Sequence, residues 1–228
     1  MERTAGVLGV LGALLMLGGD ALLYAHVGDR TMADAGLQAA LGVGATVLAA
    51  TPTHLYLSVV IAPIATLLYL CGVWHVYRQL ILHTRFWAAF VTVGFAAMFV
   101  AGGAYHALWS PYAFVLQSSA ADPAASVELL THTGRLMRLT YGVAALAGYP
   151  AAVVLLVLVV ARKSSYPRFT AAVNPGILIG IAPLLRPAAE RLSEPLGAML
   201  MGGWINAVFA VFFAVSLAST GPVHRTRR

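Results

Sequence analysis

Cysteine occurs once in the 228 residues, at Cys71. A single thiol closes no intramolecular disulfide and supplies no cysteine-based zinc motif. Its place inside an apolar run marks it as a small packing residue. Charge is scarce as well. Asp, Glu, Lys and Arg make up 10% of the chain, Lys163 is the sole lysine, and the net charge is +6. The basic residues stand singly in connectors rather than in a stripe with interleaved aromatics, so nucleic acid is not an expected partner. The chain also lacks an Asn-x-Ser/Thr sequon, a His-Glu-x-x-His motif, a pair of histidines four apart and a repeat relating its halves. What it has in excess is apolar sequence, 60% of residues with a mean hydropathy of +0.84. Apolar runs at that density define a polytopic, all-α membrane protein, here one domain over residues 1–228.

Six spans are predicted. The first runs from about Ala5 to Val27 and contains Gly18-Gly19-Asp20, an interruption that argues for an uncleaved span over a signal peptide. A connector from Gly28 to Thr51 follows. Its apolar middle, residues 37–50, is too short to cross a core about 30 Å thick and reads as an interfacial or re-entrant segment. The second span starts at Pro52, a favourable first-turn proline, and runs to about Tyr77, with a kink expected at Pro63. The third runs from Phe86 to Trp109 and should end at Ser110-Pro111. A long fourth helix opens at Asp122-Pro123, with Asp122 as N-cap. It carries a polar stripe of Glu128, His132, Arg135 and Arg138, then spans from Tyr141 to Ala161. The fifth, Phe169 to Leu185, is broken at Asn174-Pro175 and Pro183. The sixth, Leu196 to Ser219, opens with Gly202-Gly203-Trp204-Ile205-Asn206, and a basic tail, residues 224–228, follows.

An even number of spans puts both termini on one side. That side collects Arg3, Arg78, Arg85, Arg162, Lys163, Arg168, Arg225, Arg227 and Arg228, with Glu2 as its one acid. The positive-inside rule makes it cytoplasmic. The expected location is a multi-pass protein of a cell membrane, the bacterial inner membrane.

This topology stacks polar groups at one depth. Asp20 and Tyr24 lie toward the outer end of span one, His54 opens span two, and Tyr105, His106 and Trp109 close span three. Arg138 and Tyr141 enter span four there, and Trp204 and Asn206 open span six. Interfacial anchoring accounts for tyrosine and tryptophan, but not for Asp20, His106 or Asn206. A carboxylate within a span costs at least about 2.5 kcal/mol and is a functional candidate by default. A pocket in the outer half of the bundle is the inference, set against bland alternatives: Asp20 as a structural acceptor, His106 as a satisfied core histidine, Asn206 as helix–helix glue.

The ordered motifs resemble an uncharacterised family of small bacterial integral-membrane proteins. The matching pieces are Gly18-Gly19-Asp20 with Tyr24, Leu68-Tyr69-Leu70-Cys71-Gly72 leading to Val76-Tyr77, and Tyr105-His106. Tyr149-Pro150, Tyr166-Pro167 and Gly202-Gly203 with Asn206 complete the set. The resemblance covers most of the chain and brings no activity with it.

Three chemistries suit the polar layer. In the favoured one, an acid–base enzyme acts on a lipophilic isoprenoid or sterol-like substrate by cyclisation or isomerisation, without a cofactor. A carboxyl group in low-dielectric surroundings resists ionisation and can serve as an acid, so Asp20 is the candidate donor and His106 its partner or base. Tyr24, His54, Tyr105, Trp109, Arg138, Tyr141, Trp204 and Asn206 would bind substrate, the rings favouring cationic intermediates. The second reading is a small transporter or lipophilic-ligand-binding protein, suggested by the broken span five, with a homodimer as one arrangement. The third is a metal-dependent hydrolase assembled from Asp20, His54 and His106.

Overall fold

A computed structural model of the chain describes residues 2–26, 49–118, 123–189 and 191–219. The expected 37–50 segment, Asp122 and the basic tail lie outside these residues, apart from positions 49 and 50. Helix α1 is Glu2–Tyr24, α2 Pro52–Leu80, α3 Arg85–Ser118 and α4 Pro123–Val160. A 3-10 segment Arg168–Val173 leads into α5 Pro175–Gly180 and α6 Ala182–Ala189. Helices α7 Glu194–Gly202 and α8 Trp204–Ser219 complete the order.

The protein is an all-helical membrane bundle among its described residues. Four helices, α1 to α4, are long and apolar enough to cross a bilayer. The count reaches six if each of two bent pairs is one span: Arg168–Gly180 with α6, bent by 65°, and Pro195–Gly202 with α8, bent by 57°.

Local chemistry sets the helix starts. Thr51 caps α2, its hydroxyl accepting from His54 N at 3.4 Å, with Pro52 in the first turn. Asn174 caps α5 in the same way, accepting from Gly176 N at 2.9 Å. Three sequence expectations need correction. Helix α3 does not stop at Ser110-Pro111 but runs on to Ser118. The Ser110 hydroxyl donates to Leu55 O at 2.7 Å, and Tyr112, Ala113 and Leu116 bury beside Leu23, Leu55, Leu130 and Met137. That packing outweighs the cost of about 3 kcal/mol for an internal proline. In the fifth region the second break falls at Ile181, before Pro183, which lies within the first turn of α6, where a missing N–H costs nothing. Gly202-Gly203 does not open the last span. It is the bend inside it, with Gly203 between α7 and α8.

Inside a bilayer apolar burial drives helix association weakly, and small residues that permit close backbone approach take over. Helix α1 lies along α2 in this way. A Cβ on Gly9 would sit 2.6 Å from Gly72 Cα, and one on Gly72 2.8 Å from Gly9 Cα. Helices α3 and α4 meet similarly, where a Cβ on Gly94 would be 2.6 Å from the Ala151 side chain. Helix α8 packs on the other side of α1, and α2 on α3, so the order around the bundle is α8, α1, α2, α3, α4. Arg168–Val173 and α5 touch both α4 and α8 and close the ring. Tyr69, Phe95, Phe99, Phe209 and Phe213 fill its centre, with Tyr69 and Phe99 stacked at 4.1 Å.

A polar knot fastens one end. Arg78 pairs with Glu2 at 2.6 Å. His75 bridges the Glu2 carbonyl (3.1 Å) and Ser216 Oγ (3.0 Å), and Tyr166 meets the same Ser216 at 2.8 Å. Burial pushes the Tyr166 phenol well above its ordinary pKa, the bond with Ser216 working against that shift.

Candidate functional site

The ring of helices encloses a cavity of about 250 Å³. Its walls come from every long helix and from both bent pairs: Asp20 and Tyr24 on α1, Tyr69 on α2, Phe99 to Trp109 on α3, Tyr141 to Ala152 on α4, Pro175 to Ile179 on α5, and Met201 to Phe209 across the Gly203 bend. At 1.5 Å per residue, Tyr69 stands about 17 Å and Trp109 about 36 Å along their helices from the Glu2 end. The cavity therefore occupies the middle of the bundle and the half away from the polar knot.

Asp20 is the buried charge of this region, 3% exposed. Three helices besides its own converge on it. The Tyr69 hydroxyl donates to Asn206 Oδ1 at 2.7 Å, and Asn206 Nδ2 donates to Asp20 Oδ2 at 2.6 Å. On the other side, His106 Nδ1 lies 3.4 Å from Asp20 Oδ1. The result is one chain of polar groups, Tyr69–Asn206–Asp20–His106, tying α2, α8, α1 and α3 together. Asparagine suits the middle position because its amide both accepts from the phenol and donates to the carboxylate. His106 is 5% exposed, and its Nε2 has no hydrogen-bond partner among the described residues.

The glycines of the motifs make this arrangement possible, each differently. A Cβ on Gly19 would lie 2.9 Å from His106 Nε2 and 3.2 Å from Ile61, so the imidazole reaches α1 only because Gly19 has no side chain. Among the described residues Gly18 has nothing within 4 Å of such a Cβ. Gly202 packs directly under the Tyr24 ring, and a Cβ on Gly203 would approach Asp20 Oδ2 at 3.5 Å. The bend in the last span thus places Asn206 beside the carboxylate.

Aromatic rings line the wall next to Asp20. Tyr24 and Trp109 meet edge to face at 5.7 Å, Trp109 and Tyr105 at 6.1 Å, and Tyr105 and Tyr141 at 5.6 Å. Three lining residues are exposed at the perimeter of the bundle: Tyr141 by 46% and Tyr149 by 43% on α4, and Met201 by 37% on α7.

Of the residues predicted from the sequence, Asp20, Tyr24, Tyr105, His106, Trp109, Tyr141 and Asn206 line this one cavity. His54, Arg138 and Trp204 do not. His54 stacks on His26 at 4.6 Å, Arg138 is exposed one turn before Tyr141 on α4, and Trp204 donates its indole N–H to Leu178 O at 2.8 Å behind the bend. Among the described residues no three of His, Cys, Asp and Glu come together as a metal group, and Asp20, His54 and His106 are not assembled into one. Tyr69 was the residue that sequence reasoning missed. The signal was present, a phenol in mid-span within Leu68-Tyr69-Leu70-Cys71-Gly72, but only the fold shows that its hydroxyl reaches Asn206.

These features define a polytopic helical membrane protein with a carboxylate-bearing internal cavity. The chain belongs to the family of unknown function DUF6796, whose model matches residues 1–220. Comparisons with curated proteins and with solved structures find no match.

Proposed function

We propose that this chain is an integral-membrane enzyme that performs proton-transfer chemistry, a cyclisation or isomerisation, on a lipophilic molecule of the isoprenoid or sterol-like class held in the cavity. The observation that carries the reading is Asp20, a carboxylate buried among four helices on the wall of an otherwise apolar, aromatic-lined chamber. An acid and an imidazole side by side on the wall of such a pocket are ordinary machinery of acid–base catalysis. Asp20 exchanges the proton with substrate. His106 stands beside Oδ1 as its partner, and Asn206 fixes the carboxylate by holding Oδ2. The exposed edge at Tyr141, Tyr149 and Met201 supplies a lateral route from the bilayer.

The test begins with mass spectrometry of the lipophilic molecule that copurifies with the full chain, followed by turnover of that molecule. Asp20→Asn nearly preserves shape and removes the acid. It should lose nearly all product formation even at saturating ligand; product formation at the unmodified rate would overturn the proposal.

A second reading, a small transporter or binding protein, draws on the 57° bend at Gly203, beside Asp20. Broken helices at mid-membrane are characteristic of transport sites. Substrate flux into proteoliposomes that depends on pH, with no chemical change in the substrate, would select it.

A further inference from the structure

The charge inventory of the cavity is one-sided. Asp20 is its one acidic lining residue, and no lysine or arginine lines it among the described residues. A carboxylate removed from water requires a positive partner, a proton or several strong donors. Among the described residues Asp20 has one short hydrogen bond, from the neutral amide of Asn206. The contact on its other oxygen, 3.4 Å from His106 Nδ1, is longer than an ordinary N–H···O bond. Arg135 and Arg138 on α4 are exposed and are not among the residues that line the chamber.

The wall beside Asp20 is built for positive charge in another way. Tyr24, one turn beyond Asp20, touches Trp109 by its edge, and Trp109 continues through Tyr105 to Tyr141. Aromatic faces carry negative potential and attract ammonium groups, more so when water is excluded. Farther in, Phe95, Met98, Phe99 and Ile179 offer only apolar surface. The chamber is therefore amphipathic, anionic and aromatic at one end and greasy at the other.

We infer that its ligand is a lipophilic cation of the ammonium class, with the charged nitrogen between Asp20 and the Tyr24–Trp109–Tyr105 wall and the apolar body among Phe95, Met98, Phe99 and Ile179. This rests on the reading of the cavity as the substrate site and narrows the substrate from lipophilic molecules in general to cationic ones.

Equilibrium binding of radiolabelled octyltrimethylammonium to the full chain in zwitterionic nanodiscs, corrected with empty nanodiscs, tests it. Octan-1-ol and octanoate serve as the neutral and anionic counterparts. The expected result is saturable binding of the cation, at least about tenfold tighter than octanol, with octanoate weakest. Asp20→Asn should weaken the cation by about tenfold or more and leave octanol unchanged, whereas Gly18→Ala, which meets none of the described residues, should alter neither. Equal affinity for cation and alcohol, or preference for octanoate, overturns the inference. If Asp20→Asn does not fold, the charge series on the unmodified chain still decides. A neutral copurifying molecule turned over in an Asp20-dependent way would sink the cation and keep the enzyme. Selective cation binding without turnover of any bound ammonium would keep the cation and sink the enzyme.

Discussion

His106 approaches α1 so closely that its Nε2 would lie 2.9 Å from a Cβ on Gly19. A Cβ on the neighbouring Gly18 would meet none of the described residues within 4 Å, although both glycines belong to the same Gly-Gly-Asp sequence. Gly19→Ala should therefore displace the imidazole and cost about 1–3 kcal/mol, as overpacking of a tight interior does. Gly18→Ala should be neutral or stabilising by up to about 1 kcal/mol, because it replaces glycine inside a helix. Thermal unfolding of the two variants in the same detergent separates them. Equal effects would contradict the geometry.

Asn206→Ala would strand two groups at once, the Tyr69 hydroxyl and Asp20 Oδ2. Leaving buried polar groups unpaired costs about 1–3 kcal/mol each. Tyr69→Phe removes only the outer donor and should cost less, about 1 kcal/mol. The double variant should fall short of the sum, since the two residues share one chain of bonds. Unfolding titrations of the single and double variants measure that coupling.

The α1–α2 contact depends on two glycines facing one another. Gly72→Ala places a methyl 2.8 Å from Gly9 Cα and from the Phe213 ring. A loss of about 1–3 kcal/mol is expected, with Gly9→Ala similar, because each forces the same two backbones apart. Once one substitution has opened the interface, the second should add little. Denaturant-induced unfolding monitored by helical circular dichroism provides the check.

Tyr166 makes stability sensitive to alkali. Its phenol is raised by burial, so the folded chain holds that proton after the unfolded chain has released it. Stability from this source is complete below the unfolded value of about 10 and declines as pH rises above it. Tyr166→Phe should flatten that part of the decline while weakening the bond network at Ser216. Melting temperatures from pH 8 upward, compared between the two proteins, give the result. An unchanged slope would show that Tyr166 is not the group involved.

Much of this architecture was readable from residue order. Long apolar runs located α1 to α4, Pro52 marked a helix start and Asn174-Pro175 a break, and the folded chain uses both. Asp20, His106 and Asn206 stood out because polar groups in apolar spans are costly. What failed was punctuation that depends on partners far away in the chain. Pro111 reads as a stop, yet Ser110 bonds to Leu55 and the following turns are buried against α2 and α4. Gly202-Gly203 reads as a beginning, yet packing against Tyr24 and Leu17 makes it a bend. Trp204 shared the depth of the site but turns its indole N–H to Leu178, and depth alone does not tell which groups line a cavity.

The bond between Asp20 and Asn206 joins residues 186 positions apart, the first helix to the last. At about 5–20 residues per second, a ribosome takes roughly 10–40 s to make the second after the first. Throughout that interval the nascent chain carries an intramembrane acid whose amide donor has not been synthesised. Completion of the site is thus a late event of biogenesis, and a chain halted before α8 presents its Asp20 without Asn206 to whatever machinery surveys newly inserted helices.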